Sequence, residues 1–279
     1  MQIIQKRKIF YIISLLIIVP GIVSLLFQGL NQGIDFKGGS ILHVKMADSV
    51  TSAQVRTVLT EFNLDRSEVQ RSGNEFYIRT EVLSQESTNE IMQGLRDKLG
   101  EVTFLSSDTV GATIGSELTR NAFMALGIAA VLMLLYITVR FEWTFGVAAI
   151  LAILHNVLVV LGVFSIMQWE INSAFIAAIL TVIGYSINDS IVIFDRVREN
   201  MKKTRRQDYE ELLNKSITQT LNRSINTVLT SAFTLMALLI LGGSTIQFFV
   251  AAMLVGFVVG AYSSIFIASP LWYEIKKAV

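Results

Sequence analysis

The sequence predicts a polytopic α-helical membrane protein of six transmembrane helices, with a small ferredoxin-like α+β domain between the first and the second. Three observations predict it. The chain of 279 residues is 52% hydrophobic and only 16% charged, against roughly 25% charged in a soluble domain. Its apolar runs reach the ~20 residues that a helix needs to cross a bilayer. Over residues 31–119 the pattern changes to short alternating and helical-period segments. Net charge is +1, which implies no nucleic-acid partner. Cys is absent, which removes disulfides, thiol catalysis and Cys-metal sites. His43 and His155 are far apart and make no metal site by themselves. No P-loop, nucleophile triad or carboxylate-rich metal motif is present, so no enzyme is expected.

Lys6-Arg7-Lys8 precede the first apolar run. They look like a signal-peptide n-region. The run is about twice the ~7–15 residues of a typical h-region, however, and no Ala-x-Ala site follows. It is read as an uncleaved span, Ile9 to Gln28, with Pro20-Gly21 inside it. Residues 1–30 are thus the N-terminus and the first helix. In the 31–119 domain, Gly33 to Gly39 make a turn-rich entry. Ser40 to Met46 alternate as a strand. Val55, Val58, Leu59 and Phe62 have helical spacing, with Thr51 or Ser52 as N-cap. Ser67 to Arg71 and Glu75 to Thr80 flank Ser72-Gly73-Asn74 as a hairpin. Ser87 to Leu99 make a second helix, and Val102 to Ser106 a last strand. The order β-α-β-β-α-β is the ferredoxin-like pattern.

Residues 120–279 hold the other spans. They run from Asn121 to Val139, from Phe145 to Met167, from Ile171 to Asp195, and through a charge-free stretch from Ser224 to Tyr273 that Gly242-Gly243-Ser244 divides. A basic loop, 196–222, contains Arg196, Arg198, Lys202, Lys203, Arg205, Arg206 and Lys215. Within it, Asp208 to Leu221 reads as an amphipathic helix. The basic clusters, including Arg140 and Lys276-Lys277, all fall on one side of a six-span plan. The positive-inside rule makes that side cytoplasmic, with both termini, and places the α+β domain outside. The basic loop also meets anionic lipid.

Asp189 lies inside the fourth apolar run, which continues through Ile191, Val192, Ile193 and Phe194. A charge at a span's centre costs at least ~2.5–3.5 kcal/mol, so such a residue faces a bundle interior or a wet cavity and marks an ion or proton path. Tyr185 and Ser186 share its face, with Asn188 and Ser190 beside it. On the fifth span Thr220, Arg223, Asn226, Thr227, Thr230, Ser231 and Thr234 make one polar stripe at helical spacing. Lipid would not accept it, so it is expected to face protein or water. Antiparallel packing places Asp189 near Arg223. Two readings stay open: a carboxylate whose protonation makes and breaks contact with Arg223, or a static polar lock worth about 0.6 kcal/mol per interhelical hydrogen bond.

Asp195, Arg196 and Arg198 read as interfacial anchors, with Asp195 and Arg196 as secondary site candidates. His155 reads as a hydrogen-bonded structural residue rather than a proton relay. Asp35 and Lys37 read as turn formers. Gly256-x-x-x-Gly260 fits close helix packing.

Three stretches carry a family resemblance. They are Gly33-Ile-Asp-Phe-Lys-Gly-Gly39, Gly184-Tyr-Ser-Ile-Asn-Asp-Ser-Ile-Val-Ile-Phe-Asp-Arg-Val-Arg-Glu-Asn200 and Leu221-Asn-Arg-Ser-Ile-Asn-Thr-Val-Leu-Thr-Ser231. Together they resemble the SecF branch of the SecD/SecF family, in the RND superfamily, over essentially the whole chain. The resemblance implies a bacterial inner-membrane subunit that forms half of an RND-like bundle with SecD. It implies a role beside the SecYEG channel, where the complex uses the proton-motive force to assist preprotein translocation. The proton is then the coupling ion and no cofactor is implied. It also implies that Asp189 and Arg223 take part in proton transport, with Ser186, Asn188, Asn226 and Thr227 around them. Asp35, Phe36, Gly38 and Gly39 match the family's entry motif. The competing functions are a non-transporting scaffold for SecD or SecYEG, and half of a small-molecule exporter.

Overall fold

The computed structural model describes residues 2–65, 67–203 and 208–278. In chain order these form α1 (Arg7–Phe27), β1 (Asn31–Gln32), α2 (Ile34–Lys37), β2 (Gly39–Lys45), α3 (Ser52–Thr60), β3 (Glu68–Ser72), β4 (Glu75–Thr80), α4 (Gln85–Leu99) and β5 (Thr103–Val110). There follow α5 (Ala112–Arg140), α6 (Trp143–Met167), β6 (Glu170–Ile171), α7 (Ser173–Lys203), α8 (Tyr209–Leu241), α9 (Gln247–Ser263), a π-helical turn (Ser264–Ala268) and α10 (Ser269–Ala278). Six helical stretches among the described residues are long and apolar enough to cross a membrane. The chain divides into two compact units, residues 32–122, and residues 1–31 with 123–279.

In the first of these units the strand order is β3-β4-β2-β5, every neighbour antiparallel. This is the ferredoxin-like arrangement. Alternation directs Leu42 and Val44 of β2, and Phe76 and Ile78 of β4, to one face, all fully buried. Val55 and Leu59 of α3 and Ile91 and Leu95 of α4 complete that core. Thr51 caps α3 in a capping box with Gln54, which satisfies backbone donors that a helix start leaves open. Gly73, at φ +63°, makes the hairpin turn. Before the sheet, Ile34–Lys37 form a single helical turn that ends at Gly38 and Gly39, with φ +77° and +137°.

The strand expected over 102–106 runs to Val110. It pairs with β2 as far as Gly39, with a register irregularity at His43/Val44. Its outer residues Ser106 to Thr109 show no apolar alternation because β5 is an edge strand, mostly exposed.

In the helical unit, α1 lies on α6, and α7 packs on α9 and α8. Glycines permit the closest approaches. Gly21 meets Gly162, and Gly256 and Gly260 of α9 sit on Val182 and Ser186 of α7. Polar contacts mark one end of the bundle and an aromatic pair the other. At one end Asn214 accepts from the backbone N–H groups of Ile3 and Ile4, Arg7 pairs with Glu274 at 2.5 Å, and Lys276 with Glu142 at 2.8 Å. At the other end Trp169 lies 6.1 Å from the Phe248 ring. The termini and the basic clusters of this unit therefore share one end.

The expected basic loop 196–222 is helical over 209–222, as the amphipathic pattern from Asp208 to Leu221 predicts, and also over 196–203, which corrects the loop reading there. Residues 196–203 continue α7, because Val197 and Asn200 are buried and the pairs Asp195–Arg198 (2.8 Å) and Arg196–Glu199 (2.6 Å) brace the solvent side. The amphipathic segment and the fifth span are one continuous helix, α8. Its cap, Asp208, accepts from Glu210 N–H at 2.9 Å. Arg205 and Arg206 lie outside the described residues.

Candidate functional site

Asp189 projects from α7 toward α8. Ser224 of α8 donates to its Oδ1 at 2.5 Å. Its Oδ2 is buried and has no hydrogen-bond partner. A carboxylate has about four acceptor positions; Ser224 fills one, Ser264 of the π-helical turn lies beside the group, and Oδ2 is left without a donor. Beside it is a cavity of about 60 Å³, whose walls include Tyr185, Ser186, Asn188, Arg223 and Thr227. Even one water needs only ~10–15 Å³ of such space. The site can therefore take up hydrogen-bonding partners that the helices do not supply.

Arg223 is close enough to Asp189 to act on it through its charge. Among the described residues, however, no ion pair joins them within 4.0 Å. Arg223 also lines a larger cleft of about 350 Å³, shared with Arg140, Asp195, Arg196 and Glu199. It therefore stands between an inner cavity that holds one carboxylate and an outer cleft that holds two. Asp195 and Arg196 are engaged in ion pairs along their own helix and do not reach Asp189.

The polar stripe of α8 divides by partner. Thr227, Thr230 and Thr234 donate to the carbonyls of Arg223, Asn226 and Thr230 one turn back, at 2.8, 3.0 and 3.2 Å. Those hydroxyls are satisfied within the helix and put little polarity on its exposed face. On that face Arg223 and Asn226, both exposed, are thus the groups that lipid would reject. Ser231 instead faces α7, where its Oγ lies 3.0 Å from Tyr185 Oη. Tyr185 also donates to Thr227 O at 2.8 Å and stacks on Phe257 with ring centroids 3.9 Å apart.

A second buried polar cluster adjoins. Asn156 of α6 donates to Ser186 at 2.8 Å, and His155 is hydrogen-bonded at both ring nitrogens, to Asn156 and to Ser14 of α1. Ser190 donates to Ser264 at 3.0 Å, at the start of the π-helical turn. Ser224, Ser264 and Asn156 carry this arrangement without standing out in the sequence. Ser224 and Ser231 differ by seven residues, two helical turns, which is the one signal that could have separated the α7-facing side from the outer stripe. Asn188 is exposed and Ser186 is buried, although only two residues apart. Asp35, Phe36, Gly38 and Gly39 belong to the α+β unit.

A six-helix membrane unit with an internal carboxylate site and an α+β insertion defines a polytopic membrane protein of the transport type. The comparisons agree. Residues 91–278 match the family described as protein export membrane protein SecD/SecF, C-terminal, and residues 23–50 match the SecD/SecF GG motif. The protein translocase subunit SecF of Acidaminococcus fermentans is 43% identical over 99% of this chain and 97% of its own length. That of Sebaldella termitidis is 39% identical over 99% and 92%. The subunit SecDF of Bacillus subtilis is 41% identical over 98% of this chain. The crystal structure of SecDF from Thermus thermophilus superposes with a TM-score of 0.92 at 39% identity, over 99% of this chain. The chain spans 38% and 39% of those two longer proteins. It belongs to the SecD/SecF family of protein-export membrane proteins, and its SecF relatives match it nearly end to end.

Proposed function

We propose that this chain is the SecF subunit of a SecDF complex that assists preprotein translocation through SecYEG at the bacterial inner membrane, driven by the proton-motive force. The observation that carries the proposal is the half-satisfied Asp189 carboxylate in a cavity it shares with Arg223. Asp189 is the group that gains and loses the proton. Ionised, it attracts Arg223 inward. Protonated, it releases Arg223 toward the outer cleft, and α8 moves relative to α7. The proton is the coupling ion, and no cofactor or enzymatic step is needed.

SecD is the partner. Two curated relatives are single SecDF chains, and the side chains of the exposed Asn226 and Arg223 call for polar contacts that are not made among the described residues. With both termini cytoplasmic, the α+β domain stands outside, where it meets the emerging preprotein.

The test is Asp189→Asn in inverted vesicles, with SecD assembly measured in parallel. The expected result is normal assembly and loss of the proton-driven component of translocation. Wild-type translocation would instead make the Ser224–Asp189 bond a static lock and the subunit a scaffold. Export of small molecules without preprotein would point to an exporter half.

A further inference from the structure

A run of hydrogen bonds, buried as far as Ser14 and part-buried beyond it, leads away from the Asp189 cavity. Ser186, on the cavity wall, accepts from Asn156 Nδ2 at 2.8 Å. Asn156 Oδ1 lies 3.0 Å from His155 Nδ1, and His155 Nε2 lies 3.0 Å from Ser14 Oγ. Ser14 Oγ lies 3.3 Å from Tyr262 Oη, which donates to Phe10 O at 2.8 Å. Asn156 is 1% exposed and His155 9%. Among the described residues, the groups set against the imidazole are Ser14 from α1, Tyr262 from α9 and Asn156 from its own helix, none of them charged. Among the described residues the imidazole therefore has no counter-ion, and a buried cation without one is costly.

A neutral imidazole has one N–H and one bare nitrogen, and a primary amide has one donor end and one acceptor end. These atoms consequently support two self-consistent orders. In the first, Asn156 donates to Ser186, His155 Nδ1–H donates to Asn156, and Ser14 donates to His155 Nε2 and so gives up its 3.3 Å hydrogen bond to Tyr262. In the second, the Asn156 amide turns over by about 180°, so that Ser186 donates to Asn156 Oδ1, Asn156 Nδ2 donates to His155 Nδ1, His155 Nε2–H donates to Ser14, and Ser14 donates to Tyr262. The selector is the Ser186 hydroxyl. Ser186 makes no hydrogen bond to Asp189 in this structure, but the two line the same cavity one turn apart on α7, and an ionised carboxylate draws the hydroxyl into that cavity and selects the first order. A neutral one releases it toward Asn156 and selects the second.

We propose that His155 and Asn156 are positioning residues that form a two-state hydrogen-bond switch, set at Ser186 by Asp189 and read out at Ser14 on α1. The inference rests on the reading of Asp189 as the protonated site. It gives α1, which continues in sequence into the α+β domain, a direct sensor of that site, at no cost of burying a second charge.

The experiment is ¹⁵N-histidine NMR of the full chain, labelled by itself and assembled with its unlabelled partner in bilayers, in a His43→Gln background that leaves His155 as the one labelled imidazole. At alkaline pH, where Asp189 is ionised, the Nδ1–H tautomer is expected. In Asp189→Asn the Nε2–H tautomer is expected. Adding Asn156→Leu should make the tautomer indifferent to Asp189→Asn. One tautomer in both proteins, an imidazolium in either, or a response that survives Asn156→Leu would overturn the switch. If Asp189→Asn loses proton-driven translocation while the tautomer stays constant, the switch alone fails. If Asp189→Asn translocates as wild type, the proton-site reading fails.

Discussion

Ser224 and Asp189 are joined across the α7–α8 contact by a 2.5 Å hydrogen bond that satisfies one carboxylate oxygen and leaves the other buried without a partner. Ser224→Ala removes that donor and leaves the acceptor unsatisfied, a change that costs ~1–3 kcal/mol for buried groups. The expected outcome is a lowered unfolding midpoint in detergent and a reduced, not abolished, proton-driven translocation rate. Ser224→Thr, which keeps the hydroxyl, should restore both. Equal loss in the two variants would mean that the hydroxyl is not what matters.

Gly21 and Gly162 bring α1 and α6 into backbone contact. A Cβ on either would lie 2.8 Å from the other's Cα, and neither helix can yield without shifting. Gly162→Ala should destabilise the bundle by ~1–3 kcal/mol, the usual cost of overpacking. Gly127→Ala on α5, where a Cβ meets nothing within 4 Å, should be neutral or gain up to ~1 kcal/mol from helix propensity. Denaturation of the two variants side by side separates close packing from a general effect of losing glycine.

In the α+β unit, Gly39 has φ +137°, and a Cβ there would sit 2.5 Å from the Thr80 carbonyl oxygen. Gly39→Ala is therefore strained by conformation and by contact together. It should weaken the β2–β4 pairing at its Ser40–Thr80 end and raise hydrogen exchange at those amides. Leu42→Ala, in the centre of the same core and fully buried, should cost ~2–5 kcal/mol and raise exchange across all four strands. An exchange pattern confined to β2 in both variants would contradict the single core described for this unit.

On the outer face of α8, Thr230 Oγ1 bonds its own helix while Asn226 is exposed. Thr230→Val should leave co-purification with a SecD partner unchanged. Asn226→Leu should reduce it. If Thr230→Val is the damaging change and Asn226→Leu is silent, the threonine hydroxyls are turned outward in the complex and the division of the stripe is wrong.

Much of this architecture is legible in the linear chain because it depends on local period and length. An apolar run long enough to cross a bilayer is visible whatever it packs against. So are the alternation of Leu42 and Val44, the spacing of Val55 and Leu59, and the Thr51 cap. Asp189 is conspicuous for the same reason, as a charge where the surrounding residues admit none. Features that depend on a neighbour are not legible in this way. β5 is longer than its own pattern shows because β2 supplies bonding groups as far as Gly39. The continuation of α7 past Arg196 needs burial of Val197 and Asn200 by other helices, and a basic run reads as loop without it.

The sequence by itself determined the six spans, the ferredoxin-like order and the one carboxylate that a membrane helix must shelter. Only the tertiary structure decided what shelters it. Helical period places a residue on a stripe but leaves the rotation of that stripe about the axis open. Here the rotation of α7 is set by Gly256 and Gly260 of α9 closing onto Val182 and Ser186. That contact turns Asp189 to Ser224 rather than into an ion pair with Arg223, and it turns Ser186 to Asn156. Those pairings join residues distant in sequence, and close packing of small residues selects them.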